Sequence, residues 1–243
     1  MITSSRSIGS ILRTISALAV LSCAFLASIS TLYAAPPPVE ARKLSTEDTR
    51  WDDSIAAFAA ADHIKAPPLG GVVFVGSSSI RLWDHVENQF TAPPVIIKRG
   101  FGGATMSDCT HYLRRIVLPY KPRLVLVYAG DNDLAEGKEP REILQHFARF
   151  VETIHETLPD TRIDYISIKP SPARAALLPK VRETNALIQQ FIAEGKNLEF
   201  IDVFTAMLDS GGRPRPELFR ADALHLNETG YALWKTIIGP HVQ

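Results

Sequence analysis

Cysteine is almost absent from this chain: its 243 residues hold two, Cys23 and Cys109. Cys23 lies inside an apolar N-terminal stretch, so a domain beginning after that stretch contains Cys109 alone. A single thiol cannot close an internal disulfide, and no cysteine pair is left for a structural zinc site. Cys109 reads as a small buried residue on a helix. Net charge is also missing, with 26 basic against 26 acidic residues. No basic stripe with interleaved aromatics occurs, which argues against nucleic acid as a partner. The balance also gives no hint of steering toward a charged substrate. The glycine-rich run Gly100-Phe101-Gly102-Gly103 lacks the Lys-Ser/Thr ending of a phosphate loop. Internal repeats and long apolar insertions that could form a lipid lid are absent as well.

Charge is missing from one place for a different reason. Arg6 and Arg13 lie in a hydroxyl-rich start, and no charged residue follows until Glu40. Within that gap 15–32 is mostly apolar and runs into Tyr33-Ala34-Ala35-Pro36. Basic region, apolar core and small residues at the cut are the layout of a secretory signal, with cleavage expected near Ala34 or Ala35. The expected destination is outside the cytoplasm, periplasmic or secreted. A retained anchor is the competing reading, because the stretch approaches the ~18 to 20 residues that can span a bilayer. Ser22, Ser28, Ser30 and Thr31 weaken it as a stable span. Leu21-Ser22-Cys23 has a trace of a lipoprotein box, but apolar sequence continues past Cys23. Membrane contact is expected only through this segment, if it is uncleaved.

What is present is a substantial core. The chain is 46% hydrophobic and 21% charged, as expected of one globular domain. The division expected is a signal peptide over 1–35, a linker over 36–44 marked by Pro36-Pro37-Pro38, and one domain over 45–243. Ser45 opens a helix with Asp48 placed as in a capping box, and Trp51, Ile55 and Phe58 give it one apolar face. Short apolar runs follow at 72–75, 95–97, 124–128, 163–168 and 198–201, the last two interrupted by Asp164, Ser167 and Glu199. Such runs suit strands buried on both faces. Helical stretches alternate with them at about 79–89, 107–118, 140–158 and 178–194, and a last one covers 228–238. This alternation predicts an α/β fold: a single doubly wound domain with a parallel five-stranded sheet and helices on both faces.

Ligands in such folds bind beyond the carboxyl ends of the strands. Four turns should open there: Gly76-Ser77-Ser78, Gly100-Phe101-Gly102-Gly103, Gly130-Asp131-Asn132, and Lys169-Pro170-Ser171-Pro172. Ser78 stands where a strand passes into a helix, a good position for a nucleophile. A serine hydroxyl needs a base, and of seven histidines His225 is distinguished by Asp222 three positions earlier in a loop. There a carboxylate can reach the imidazole and fix its tautomer. The order Ser, Asp, His matches other α/β serine hydrolases. An oxyanion would need donors. The backbone N–H of Ser78, the backbone N–H of Gly103 and the side-chain amide of Asn132 are the candidates. Plain turn roles compete for Gly103, Asn132 and Asp222, and Asn227 reads as the cap of the last helix.

These segments resemble the conserved blocks of the SGNH (GDSL-type) hydrolase superfamily, over about residues 72–234. The resemblance places Ser78 as nucleophile in Gly76-Ser77-Ser78, Gly103 as the glycine of Arg99-Gly100-Phe101-Gly102-Gly103, Asn132 as the asparagine of Gly130-Asp131-Asn132-Asp133, and Asp222 with His225 as the Asp-x-x-His block. It implies a flavodoxin-like sheet and an esterase or acylhydrolase working through an acyl-enzyme, with no cofactor and no metal. One departure stands out: Gly-Asp-Ser is common in the family, and here Ser77 replaces the aspartate. Three neighbouring hydroxyls then compete, and position relative to Gly76 favours Ser78. The substrate expected is a small-molecule or carbohydrate ester with a short acyl group, such as an O-acetyl group, in an open cleft lined by Phe101, Trp83 and Lys169. Alternatives are a lysophospholipase, lipase or thioesterase of the same superfamily, or a non-catalytic carbohydrate- or lipid-binding protein that keeps the fold.

Overall fold

A computed structural model describes residues 49–90 and 95–242. The expected signal peptide, its cut, the linker and the helix start at Ser45 lie outside the described residues. The first elements are a 3-10 turn over Thr49–Trp51 and helix α1 over Asp52–Ile64. Five strands follow: β1 (Val72–Gly76), β2 (Ile96–Gly100), β3 (Leu124–Tyr128), β4 (Arg162–Ile166) and β5 (Leu198–Ile201). They form one sheet in the order β2-β1-β3-β4-β5, with every neighbouring pair parallel. The helices between and after them are α2 (Ser78–Arg81), α3 (Met106–Ile116), α4 (Asp131–Ala135), α5 (Pro140–Thr157), α6 (Leu178–Glu194) and α7 (Glu228–Val242).

Alternation along the strands divides the interior into two cores. Val73, Val75, Val125, Val127 and Ile163 face α1, α3, α5 and α6, meeting Ile55, Cys109, Phe147 and Ile188. Phe74, Leu124, Leu126 and Tyr128 face the other way, onto Trp83, Trp234 and Ile238. Both faces are covered, so a strand such as Leu124–Tyr128 carries no charged residue. Cys109 is buried on α3, the place its composition suggests.

The helix expected over 79–89 is much shorter. It ends after Arg81, and a separate 3-10 turn covers Val86–Asn88. Between them His85 takes a left-handed φ of 54°, which no α-helix can pass through. That conformation costs about 1–2 kcal/mol. Leaving the helix there lets Trp83 enter the core, fully buried and stacked on Tyr231 at 5.4 Å between ring centroids. Burying such a ring is worth about 4–6 kcal/mol as an upper bound, so the break is favoured.

The chain goes from β1 outward to β2 and then returns past β1 to β3. The direction of winding therefore reverses between β1 and β3, and a crevice forms beyond their carboxyl ends.

Candidate active site

At the end of β1 the backbone bends sharply. Gly76 adopts φ +146°, and a Cβ there would sit 2.0 Å from the carbonyl oxygen of Tyr128 on β3. Only glycine allows that approach. Ser77 N then donates to Tyr128 O at 3.0 Å, while Ile80 N and Arg81 N donate back to Ser77 O. The result is a tight strand-to-helix turn in which the three serines face different ways. Ser77 and Ser79 are buried, and their hydroxyls have no hydrogen-bond partner among the described residues. Ser78 is the half-buried one, and its Oγ lies 3.1 Å from His225 Nε2.

His225 is held by its own turn. An antiparallel bridge joins Phe219 to Leu226, and Arg220 N donates to His225 O at 2.7 Å. Asp222 closes the inside of the loop. Its Oδ1 accepts from Leu224 N at 3.0 Å and His225 N at 2.9 Å, and its Oδ2 lies 2.6 Å from His225 Nδ1. Asp222 is thus both turn residue and imidazole partner. The His225 contact, followed by the two backbone N–H groups, holds its carboxyl well below the usual range. Asn227 fastens the loop to α7, its Oδ1 accepting from Gly230 N at 3.0 Å.

Three donors gather near Ser78. Gly103 takes φ +82°, where a Cβ would be strained and would lie 3.2 Å from Trp51 Cη2. Among the described residues no backbone carbonyl accepts from Ser78 N or Gly103 N. Asn132, in the first turn of α4, donates through Nδ2 to Ala104 O at 3.0 Å. Its Oδ1 accepts from Arg174 Nη2, also at 3.0 Å. Next to it, Asp131 Oδ2 meets Lys169 Nζ at 2.9 Å and Arg174 Nη1 at 3.2 Å. Burial alone would raise the Asp131 pKa, but the two cations outweigh burial and lower it.

The three side chains expected to line the cleft do not line it. Phe101 is fully buried, edge-on to Trp51 and Tyr112. Trp83 is in the core on the α7 face, donating to Gln89. Lys169 is buried in its ion pair and also donates to Tyr128 OH at 3.0 Å. Each sits next to a motif residue, but the core or a buried charge captures it instead. The cleft, about 580 Å³, joins Ser78, His225, Gly103 and Asn132 to Trp51, Ser54, Arg81 and Leu224. The missed Arg81 had a signal, since it follows Ser78 by three positions in a helix and shares its side. Trp51 belongs to an apolar stripe that otherwise reads as core, and Arg174 has no signal in the sequence.

Ser78, His225 and Asp222 thus form a continuous line in which an imidazole can take a hydroxyl proton. No metal ligand set lies in this cleft among the described residues. One group elsewhere, Asp164, Glu199 and His241, has donors spaced as for an ion, and Arg162 pairs with Asp164 there at 3.0 Å.

The model of the GDSL-like lipase/acylhydrolase family matches residues 53–233. The chain belongs to this family. It is a carboxylic ester hydrolase. Solved structures share the fold. A GDSL-like lipase from Bacteroides thetaiotaomicron is 22% identical, with a TM-score of 0.67 over 77% of this chain and 96% of that one. A lipase/acylhydrolase from Enterococcus faecalis is 23% identical, with a TM-score of 0.60 over 72% and 95%. An acetyl-xylooligosaccharide esterase from Geobacillus stearmophilus is 14% identical, with a TM-score of 0.58 over 72% and 95%. No match to this sequence is found among curated proteins. In this acylhydrolase the Gly-Ser-Ser turn is held by backbone hydrogen bonds to and from Ser77.

Proposed function

We propose that this acylhydrolase is an exported serine esterase that cleaves short-chain acyl esters through an acyl-enzyme on Ser78. The observation that carries the reading is the line Ser78 Oγ, His225 Nε2, His225 Nδ1, Asp222 Oδ2, with contacts of 3.1 and 2.6 Å. Asp222 Oδ2 accepts a hydrogen bond from Nδ1–H, which leaves Nε2 as the acceptor facing Ser78. Ser78 Oγ attacks the ester carbonyl carbon while its proton passes to His225 Nε2. The carbonyl oxygen becomes an oxyanion, received by Ser78 N–H, Gly103 N–H and the free proton of Asn132 Nδ2. Collapse expels the alcohol, which leaves with the proton from His225. Water then gives a proton to Nε2 and attacks the acyl-enzyme, and the carboxylic acid departs as Ser78 regains its hydrogen.

The cleft supports a short acyl group and a hydroxyl-rich alcohol. Its lining is mainly polar, with Trp51 and Leu224 as the large apolar side chains. A flat indole beside serine and arginine suits a sugar ring better than a fatty chain. The acetyl-xylooligosaccharide esterase that shares this fold acts on a substrate of that kind by name. Export rests on residues 1–35, read as a signal peptide. The test is a p-nitrophenyl ester series with wild type and Ser78→Ala, beside labelling by an organophosphate that reacts only with an activated serine.

A further inference from the structure

The carboxamide of Asn132 has only one orientation that satisfies its neighbours. Arginine carries donors and no acceptor, so the atom facing Arg174 Nη2 at 3.0 Å is Oδ1. The carbonyl of Ala104 only accepts, so the atom facing it at 3.0 Å is Nδ2. These two contacts, from opposite sides, fix the amide plane and leave one N–H of Nδ2 unused. The cleft into which Asn132 opens is the one holding Ser78 and His225.

Arg174 is itself held in place. Its Nη1 lies 3.2 Å from Asp131 Oδ2, so one guanidinium grips two consecutive residues in the first turn of α4. Asp131 is anchored in turn by Lys169, whose side chain is 1% exposed. The segment carrying Arg174 is tied to the histidine loop by Ala173 N donating to Ala223 O at 3.0 Å. Both Lys169 and Arg174 pair with Asp131, but of the two Arg174 also reaches the next residue, donating to Asn132 Oδ1.

We infer that Arg174 is a positioning residue for ester hydrolysis: its guanidinium locks and polarises the Asn132 amide so that the unused N–H meets the developing oxyanion. A cation on the amide oxygen draws electron density away from nitrogen and strengthens the N–H as a donor. The orientation is set before substrate arrives, so no reorganisation is needed at the moment of reaction. The inference rests on the assignment of Asn132 to the oxyanion in the proposed function.

A double-mutant cycle on full-length protein, with p-nitrophenyl acetate as substrate, tests it. Arg174→Ala should lower kcat by about tenfold or more with KM changed less than about twofold, the split expected of a group acting in the transition state. Arg174→Lys, which keeps one charged donor, should fall between. In an Asn132→Ala background, Arg174→Ala should have less than about a twofold further effect, because its target is gone. Equal losses in both backgrounds, a loss confined to KM, or an unchanged kcat would each overturn the inference. If Arg174→Ala is too unstable to assay, the same cycle run with Arg174→Lys decides. An Asn132→Ala variant with full kcat removes the oxyanion assignment itself. Damaging Asn132→Ala with multiplicative Arg174 losses removes the positioning role alone.

Discussion

Ser78 Oγ and His225 Nε2 lie 3.1 Å apart although 147 positions separate them in the chain. One sits where β1 enters α2, the other in a turn just before α7. Their contact joins the first strand of the sheet to its last helix. Nothing local holds them together, so the distance reflects packing of the whole domain.

Ser78→Ala should abolish hydrolysis of p-nitrophenyl acetate while leaving the fold unchanged by circular dichroism, because the side chain is only half buried. Ser77→Ala and Ser79→Ala should keep much of the activity. Their hydroxyls are buried without partners, so removing them breaks no hydrogen bond among the described residues. A dead Ser77→Ala beside an active Ser78→Ala would show that the nucleophile has been assigned one residue too late.

Asn132→Ala should reduce kcat by about 10² to 10³ with little change in KM, the effect of losing one donor used mainly in the transition state. Steady-state kinetics decide this. A normal kcat would leave Asn132 as a residue that only shapes the start of α4.

Asp222→Asn should cost a factor on the order of 10⁴ in kcat, since an amide can donate to Nδ1 and so present the wrong tautomer to Ser78. Activity should survive prolonged chelation, because proton transfer through His225 requires no ion. Retention of near wild-type turnover by Asp222→Asn, or loss on chelation that zinc restores, would contradict the mechanism.

Acetate and butyrate esters should be cleaved with higher kcat/KM than decanoate, measured below micelle formation. The cleft is open and mainly polar, and a long chain would find few apolar partners there besides Trp51 and Leu224. A maximum at decanoate would move the reading toward a lipase or lysophospholipase.

Stability should fall as pH rises toward neutrality, through Asp133. Burial pushes its carboxyl from 3.8 up to about 7, against the pull of the Met106 N–H, which donates to both oxygens. A raised pKa means the folded state favours the protonated form. That contribution is complete below the ordinary carboxyl pKa and is lost as pH climbs through about 7. Asp133→Asn keeps an acceptor for Met106 and removes the titration. Its melting temperature relative to wild type should therefore rise between pH 4 and pH 8. A difference that stays flat over this range would mean that Asp133 is ionised throughout.

Much of this was legible in the residues. Unbroken apolar runs such as Leu124–Tyr128 announce strands covered on both faces, and their alternation with helical stretches leaves a parallel sheet as the economical arrangement. Glycines at the strand ends mark where backbone approaches backbone, as Gly76 does against Tyr128. Asp222 and His225, three apart in one loop, carry their pairing in their spacing.

Other features were decided only by the tertiary structure. Position after Gly76 favours Ser78 among the three consecutive serines, but only the fold brings its Oγ to His225. Trp83, Phe101 and Lys169 are adjacent to motif residues, yet apolar burial and the charge of Asp131 draw them inward. Trp51 and Arg81 come to the cleft instead. The bond from Arg174 to Asn132 spans 42 positions and follows no period. Local sequence determines backbone conformation and which faces must be buried, because those choices depend on neighbours a few residues away. Contacts across the sheet depend on how whole elements pack, and the lining of this cleft is made of such contacts.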